Sequence, residues 1–476
     1  MVSSRYKMIL SSGRFSNTSR SQLTSAFDTF VGSKQKDALV VHFHGGLVSE
    51  SSAEDIASRL YPIYRDAGGY PLFVIWQTGL GETLNNNFQE IIKEDVFPVL
   101  VERALQFITG KLDQSPNEKG GEVELPTRFA VEGEIKHKQA TGEEPFADRE
   151  AETTSLDAEL APAERAQFEA LLAGDETLAS AALKLNREDA PELNPTLEAE
   201  LDKARAAGEP GEKGLISTAT LVAAGVRILA RALKRFASRH EHGIYTTVIE
   251  EVMRELKGDL VGGVIWKHMK KDTADSFDGP SDTHGGTALL EEINRIWQAG
   301  HKPRLVLVGH SAGSVYICHL LEKAATTLPA DIRFEVVFLA PGCSFKVLDH
   351  ALTVAGTRIA AFRSFGMEDE LEKHDAIFPP FYMRSLLYFV SGVTEEAVDL
   401  PLVGMKRYHS GNPPFDAAAA PEIAQVRDRL AMFPEPWIWS EKKGGAGLST
   451  LAHRHGDFDN DVTTLESVAH FISQGG

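Results

Sequence analysis

Two hydrophobic patterns alternate along the chain. In the first, short runs that are apolar throughout end in Gly-containing turns and lead into helical stretches. The clearest are Ala38–Phe43, Leu72–Trp76, Leu305–Val308, Phe334–Leu339 and Arg358–Phe362. Apolar runs without polar alternation suit strands buried on both faces. Strands alternating with helices predict an α/β fold with a mostly parallel sheet and right-handed crossovers.

In the second pattern, from Lys111 to Leu215, Glu and Ala dominate, Pro and Gly are scattered, and β-branched runs are almost absent. Such a stretch predicts short solvated helices and loops inserted into a more compact body. It is either an acidic spacer or a helical cap over an active site. The predicted organisation is therefore an N-terminal core part over residues 1–110, an acidic helical insertion over 111–243, and a C-terminal core part over 244–476.

The segment Ser217 to His242 differs from its acidic neighbour. Val222, Val226, Leu229, Leu233 and Phe236 recur at helical steps, and Arg227, Arg231, Lys234, Arg235 and Arg239 occupy another face. Ser217 or Thr218 caps its start, and Gly243 its end. A basic amphipathic helix can lie on a membrane. Docking on a core is the preferred reading, with the acidic stretch at hand to pair with the arginines.

Charge narrows the choice of partners. The chain of 476 residues has a formal net charge of −19, and 25 Asp/Glu against 12 Lys/Arg fall between Lys111 and Leu215. This excess argues against nucleic acid, which needs a concentrated basic surface. Only Cys318 and Cys343 are present, both in apolar surroundings, so buried reduced thiols are expected and not a disulfide or metal site. No signal-peptide core stands at the N-terminus, and no run of about 18 apolar residues occurs that would span a bilayer. The expected compartment is the cytoplasm, without stable membrane insertion.

The strongest chemical signal lies between Arg304 and Ala325, RLVLVGHSAGSVYICHLLEKAA. An apolar strand runs into Gly309-His310-Ser311-Ala312-Gly313, and a helix follows. A Cβ at either glycine would collide with neighbouring elements, and the serine would sit in a strained turn. The turn lifts Ser311 to the edge of the sheet, at a helix N-terminus where amides and the helix dipole stabilise negative charge. A second strand, Ala38–Phe43, runs directly into His44-Gly45-Gly46. Consecutive glycines let a backbone turn with its N–H groups free, as an oxyanion hole requires.

A strand ending in His-Gly-Gly, a second ending at Trp76-Gln77-Thr78-Gly79, the elbow and a late His-Gly together resemble the α/β-hydrolase family. The resemblance covers roughly residues 36–110 and 245–476 and leaves the acidic insertion without a counterpart. It implies one oxyanion amide from Ala312 and another from the Gly45-Gly46-Leu47 turn, with Trp76, Gln77 and Thr78 near the pocket. It also implies that the acid and then the histidine follow Ser311 in the chain. His455, in the loop before an apolar-faced final helix, is the expected base. His453 is the alternative, and His470 falls inside the helix. Asp369 is the expected acid, in a loop one strand after the elbow's neighbour. Glu368, Glu370 and Asp375 crowd the same stretch, and Asp349 and Asp399 are fallbacks.

Three further groups have simpler readings. His310 packs or hydrogen-bonds locally. Asp457, Asp459 and Asp461 lack the glycine and terminal glutamate of a calcium loop and read as caps of the last helix. His42 and His44 lack a third partner for zinc. No metal or cofactor is expected. The expectation is ester hydrolysis by a Ser-His-Asp triad on a small-molecule or lipid ester. A lipase, an amidase, peptidase or acyltransferase, and a catalytically silent binding module are the competing readings. Oligomeric state is not legible.

Overall fold

The structure is a computed structural model in which residues 3–33, 37–76, 92, 95–115, 117–184, 218–257 and 264–474 are described. The apolar runs become strands β1 (Lys7–Ser11), β2 (Arg14–Phe15), β3 (Ala38–Phe43), β4 (Gly69–Trp76), β5 (Arg304–His310), β6 (Phe334–Leu339), β7 (Ile359–Met367) and β8 (Trp437–Ser440). They form one 8-stranded sheet in the order β2-β1-β4-β3-β5-β6-β7-β8. β2 pairs antiparallel with β1, and every other pairing is parallel. β3, β4 and β6 are buried along their whole length, which explains their lack of polar alternation.

β1 and β8 escape the sequence reading because each has only a short apolar or aromatic centre. β7 runs on past Phe362 because its polar residues are satisfied in place. The Arg363 guanidinium donates to the carbonyls of Gly447 (2.9 Å) and Pro434 (3.1 Å).

The chain leaves β3 through the helix Glu50–Asp66 toward β4, and leaves β5 through the helix Gly313–Thr327 toward β6 on the other side. The adjoining ends of β3 and β5 are therefore the topological switch, where connections splay apart and open a crevice. Phe43 is in register with Gly309. The residues immediately after them, His44-Gly45-Gly46 and Ser311, consequently emerge side by side.

Alternate residues of these strands serve opposite faces. Val40, Val306 and Val308 pack with Leu60 and Tyr64 of the helix Glu50–Asp66 and with Val468 and Phe471 of the helix Val462–Gln474. Phe43 points the other way and stacks on Tyr316 of the helix Gly313–Thr327, ring centroids 4.6 Å apart.

Sheet and flanking helices belong to one unit, Met1–Thr83, Lys267–Asp375 and Pro401–Gly476, while a second unit comprises Leu84–Trp266 and Ala376–Leu400. The sequence boundaries near residues 110 and 243 both fall inside the second unit. The apolar helix Val96–Asp113 and the helix Ile244–Lys257 pack with helices of and around the acidic stretch. Within the described part, that stretch forms the helices Arg128–Thr141, Pro162–Ala173 and Glu176–Lys184.

The basic amphipathic helix is Thr218–Ser238, with Val226, Leu229, Leu233 and Phe236 buried. It ends at Arg239, which takes a left-handed φ of 60°, and not at Gly243. Its arginines pair with carboxylates of the next helix. Arg227 meets Glu255 (2.7 Å), Arg231 meets Glu251 (2.6 Å) and Glu255 (2.7 Å), and Arg235 meets Glu250 (2.6 Å) and Glu251 (3.2 Å). The helix docks, as its apolar face predicts. Among the described residues no helix is long and apolar enough to cross a membrane. Cys318 and Cys343 are free thiols and buried.

Candidate active site

Ser311 takes a φ of 52°, a left-handed conformation rare for a residue with a side chain. Hydrogen bonds hold it there: its amide donates to Leu339 O (2.9 Å), and its carbonyl accepts from Gly342 N (3.0 Å), Ser314 N (3.0 Å) and Ser314 Oγ (2.6 Å). The flanking glycines are required by space. A Cβ on Gly309 would stand 2.8 Å from Gly313 O, and one on Gly313 would stand 2.2 Å from Phe43 O. The strained serine thus sits directly before the helix Gly313–Thr327, on its positive end.

The glycine loop after β3 lies against this elbow. An added Cβ on Gly45 would be 3.4 Å from Ser311 Cβ, and one on Gly46 would be 3.0 Å from Ala312 Cβ. His44 sets the loop's conformation. Its Nε2 accepts the backbone N–H of Trp76 (3.1 Å), so the proton is on Nδ1, which donates to Gly45 O (2.7 Å). Burial lowers the His44 pKa to about 4, which keeps this neutral tautomer at neutral pH. In a trans peptide the N–H points opposite to the C=O. With Gly45 O turned onto His44, the Gly46 N–H is turned away from that ring. Among the described residues the amides of Gly46, Leu47 and Ala312 donate to no acceptor. Trp76 is buried beneath the loop, its indole N–H donating to His44 O (3.3 Å). Gln77 and Thr78 lie outside the described residues.

His455 opens a short turn before the last helix and is buried. Its ring faces the His310 ring, centroids 5.3 Å apart at 28°, which brings it to the elbow. Neither ring nitrogen has a hydrogen-bond partner among the described residues. The bonds expected from Ser311 and from a carboxylate are therefore not made in this structure. Burial, and then the neighbouring His310, lower the His455 pKa to about 3 against a weaker pull from Asp459. His453 is on the surface, paired with Glu441 (2.7 Å), and His470 lies within the helix Val462–Gln474.

The carboxylates sort differently from the sequence expectation. Because β7 continues to Met367, Asp369 starts the helix Asp369–His374 and turns to Lys373 (3.1 Å) in place of His455. Glu370 meets the same lysine (2.9 Å), and Glu368 pairs with Lys406. Asp349 pairs with Arg429 (3.4 Å), and Asp399 belongs to the second unit, bonded to His240 and His242 (2.8 Å each). Asp375 is the carboxylate that meets His455: its Oδ2 accepts the His455 backbone N–H at 2.7 Å. Burial raises the Asp375 carboxyl above its ordinary range, although this amide opposes the shift.

The three aspartates after His455 have distinct tasks. Asp461 caps the last helix through Thr464 N (2.8 Å), and Asp457 accepts the amides of His453 (3.1 Å) and Arg454 (3.0 Å). Asp459 caps no helix among the described residues. Its carboxylate is buried between Arg59 (3.5 Å) and His310 Nδ1 (3.5 Å). The even Asp-x-Asp-x-Asp spacing concealed this role. The available signal was His310 itself, a polar residue on a strand face otherwise occupied by Val306 and Val308. His42 bonds Tyr64 Oη (3.0 Å), and among the described residues no group of three His, Cys, Asp or Glu side chains can hold a metal.

No protein-family model, curated protein or solved structure matches this chain.

Proposed function

We propose that this chain is a serine hydrolase of the α/β-hydrolase type that cleaves carboxylic esters through an acyl-enzyme on Ser311. The observation that carries the reading is the strained Ser311 at φ 52°, with the Gly45-Gly46 loop packed on it at the sheet's switch point. The amides of Gly46, Leu47 and Ala312, which donate to no acceptor among the described residues, support it. In this reading Ser311 Oγ attacks the ester carbonyl while His455 takes its proton. The Gly46 or Leu47 amide and the Ala312 amide bind the tetrahedral oxyanion. His455 then gives the proton to the departing alkoxide, and water repeats the cycle at the acyl-enzyme.

The base needs a carboxylate partner to reach useful strength. Asp375, already on the His455 amide, is the better placed acid. Its transfer from the amide to the ring Nδ1 completes the triad when substrate orders the site. Hydrolysis of a p-nitrophenyl ester series of increasing chain length, with wild type, Ser311→Ala and His455→Ala, tests the reading. Both variants are expected to lose at least about a thousandfold in kcat. Hydrolysis that persists in Ser311→Ala overturns it.

A further inference from the structure

Beneath the elbow lies a polar cluster that the proposed chemistry leaves unused. His310 donates from Nε2 to the backbone carbonyl of His455 at 3.0 Å, and its Nδ1 faces Asp459 Oδ2 at 3.5 Å. Asp459 is held in turn by Arg59 of the helix Glu50–Asp66, through its carboxylate and through its own carbonyl (3.3 Å). The residue preceding the nucleophile is thereby bonded to the residue expected to be its base. The two residues come from elements 145 positions apart in the sequence.

We infer that His310, anchored on Asp459, is a positioning residue that clamps the His455 loop to the nucleophile elbow. This rests on the serine-hydrolase reading, since it assigns how that reading's base is held. Three features argue for a clamp and against ordinary packing. Both ring nitrogens of His310 are turned to one segment, Nε2 bonded to the His455 carbonyl and Nδ1 facing the Asp459 carboxylate at 3.5 Å, so the end of β5 is tied to the turn before the last helix. The bonded atom is the carbonyl of His455 itself, so the contact fixes the position from which the imidazole projects. The rings are also stacked, so displacing His310 displaces His455.

The electrostatics agree. Burial opposes charge on His310, yet Asp459 and the His455 carbonyl outweigh it and raise its pKa above the ordinary value. Among the described residues the groups around the pair are Asp459, Arg59, Asp375 on the His455 amide, and the neutral His42 and His44 at the end of β3. Positive charge on His310 disfavours a second positive charge on the stacked His455. It therefore extends the neutral form of His455 to lower pH.

The test compares fluorophosphonate labelling rates against pH for wild type, His310→Ala, His310→Gln and Asp459→Asn, with thermal melts of each. His310→Ala is expected to lower the rate at pH 8 about tenfold or more, since small displacements of a reacting group are expensive. His310→Gln keeps a donor for the carbonyl. It is expected to restore the rate to within about threefold of wild type, with the acid limb moved to higher pH. Asp459→Asn, which preserves shape and removes the anchor, is expected to move the limb the same way by less. A wild-type rate and profile in His310→Ala overturns the inference, as does a His310→Gln protein as impaired as His310→Ala. If His310→Ala does not fold, Asp459→Asn decides: an unchanged rate and limb overturns the clamp. Should wild type fail to label, or Ser311→Ala still label, the serine reading fails separately. Imidazole NMR titration then still reads the coupling, with His455 expected to titrate higher in His310→Gln and an unmoved His455 overturning it.

Discussion

His44 Nε2 accepts the backbone amide of Trp76 at 3.1 Å, tying the turn after β3 to the end of β4. This bond fixes the imidazole tautomer and, through Nδ1, the orientation of the Gly45 carbonyl. The proposed oxyanion amide at Gly46 is thus set by a strand two places from Ser311 in the sheet. His44→Ala removes the constraint and leaves the Trp76 amide without its acceptor. kcat for ester hydrolysis is expected to fall about 10- to 100-fold with KM little changed, because the amide acts mainly on charge that develops in the transition state. Steady-state kinetics on the best ester checks this, and a loss confined to KM contradicts it.

Gly313→Ala tests the steric basis of the elbow. Its Cβ would meet the Phe43 carbonyl oxygen at 2.2 Å, backbone that cannot rotate away. Destabilisation of about 1–3 kcal/mol is expected from such overpacking, together with loss of labelling as Ser311 is displaced. Urea melts and labelling measured on the same sample check both.

The two candidate acids are separated by charge-removing substitutions. Asp369→Asn is expected to leave esterase kcat within about twofold of wild type, because Asp369 pairs with Lys373 on a partly exposed helix. Asp375→Asn is expected to lower kcat by about 10²-fold or more, in line with an acid that orients the base. Equal effects of the two variants contradict the assignment to Asp375.

A fourth prediction concerns stability in the helical unit. Glu250 is fully buried. Burial works against its ionisation, yet His242, Arg235 and a bond from Tyr382 outweigh it and lower its pKa to about 2. Its folded pKa lies below the unfolded value of about 4.3. The stability it contributes is therefore present above that value and lost as pH falls toward about 2. Urea melts of wild type between pH 5 and pH 2 should show this loss. Glu250→Gln should be less stable at pH 7 by about 1–3 kcal/mol, since buried Arg235 loses its nearer carboxylate and keeps only Glu251, and should show a flatter pH dependence below pH 5.

What was legible in the sequence follows from what each pattern depends on. β3, β5 and β6, and the elbow between β5 and its helix, depend on local facts: an unbroken apolar run, two glycines and a serine. β7 was cut short because Arg363 and Ser364 look like a turn unless the carbonyls of Gly447 and Pro434 are known to receive the guanidinium. Asp369 and Asp375 lie six positions apart on and after one short helix. Which of them meets His455 depends on where the strand ends and how the helix is phased, and neither shows in composition. Asp459 was hidden by its neighbours, since Asp457 and Asp461 do cap backbone and share its spacing. His310 and His455 are joined by a contact between distant segments, which the spacing of residues does not reveal.

The central claim is that Ser311 is a nucleophile. Incubating the intact chain with a fluorophosphonate, followed by intact-mass and peptide mapping, tests it most directly. A single adduct on the elbow peptide at Ser311 is expected, absent from Ser311→Ala. An adduct that persists in Ser311→Ala, or a folded wild-type protein that takes up none, would contradict it.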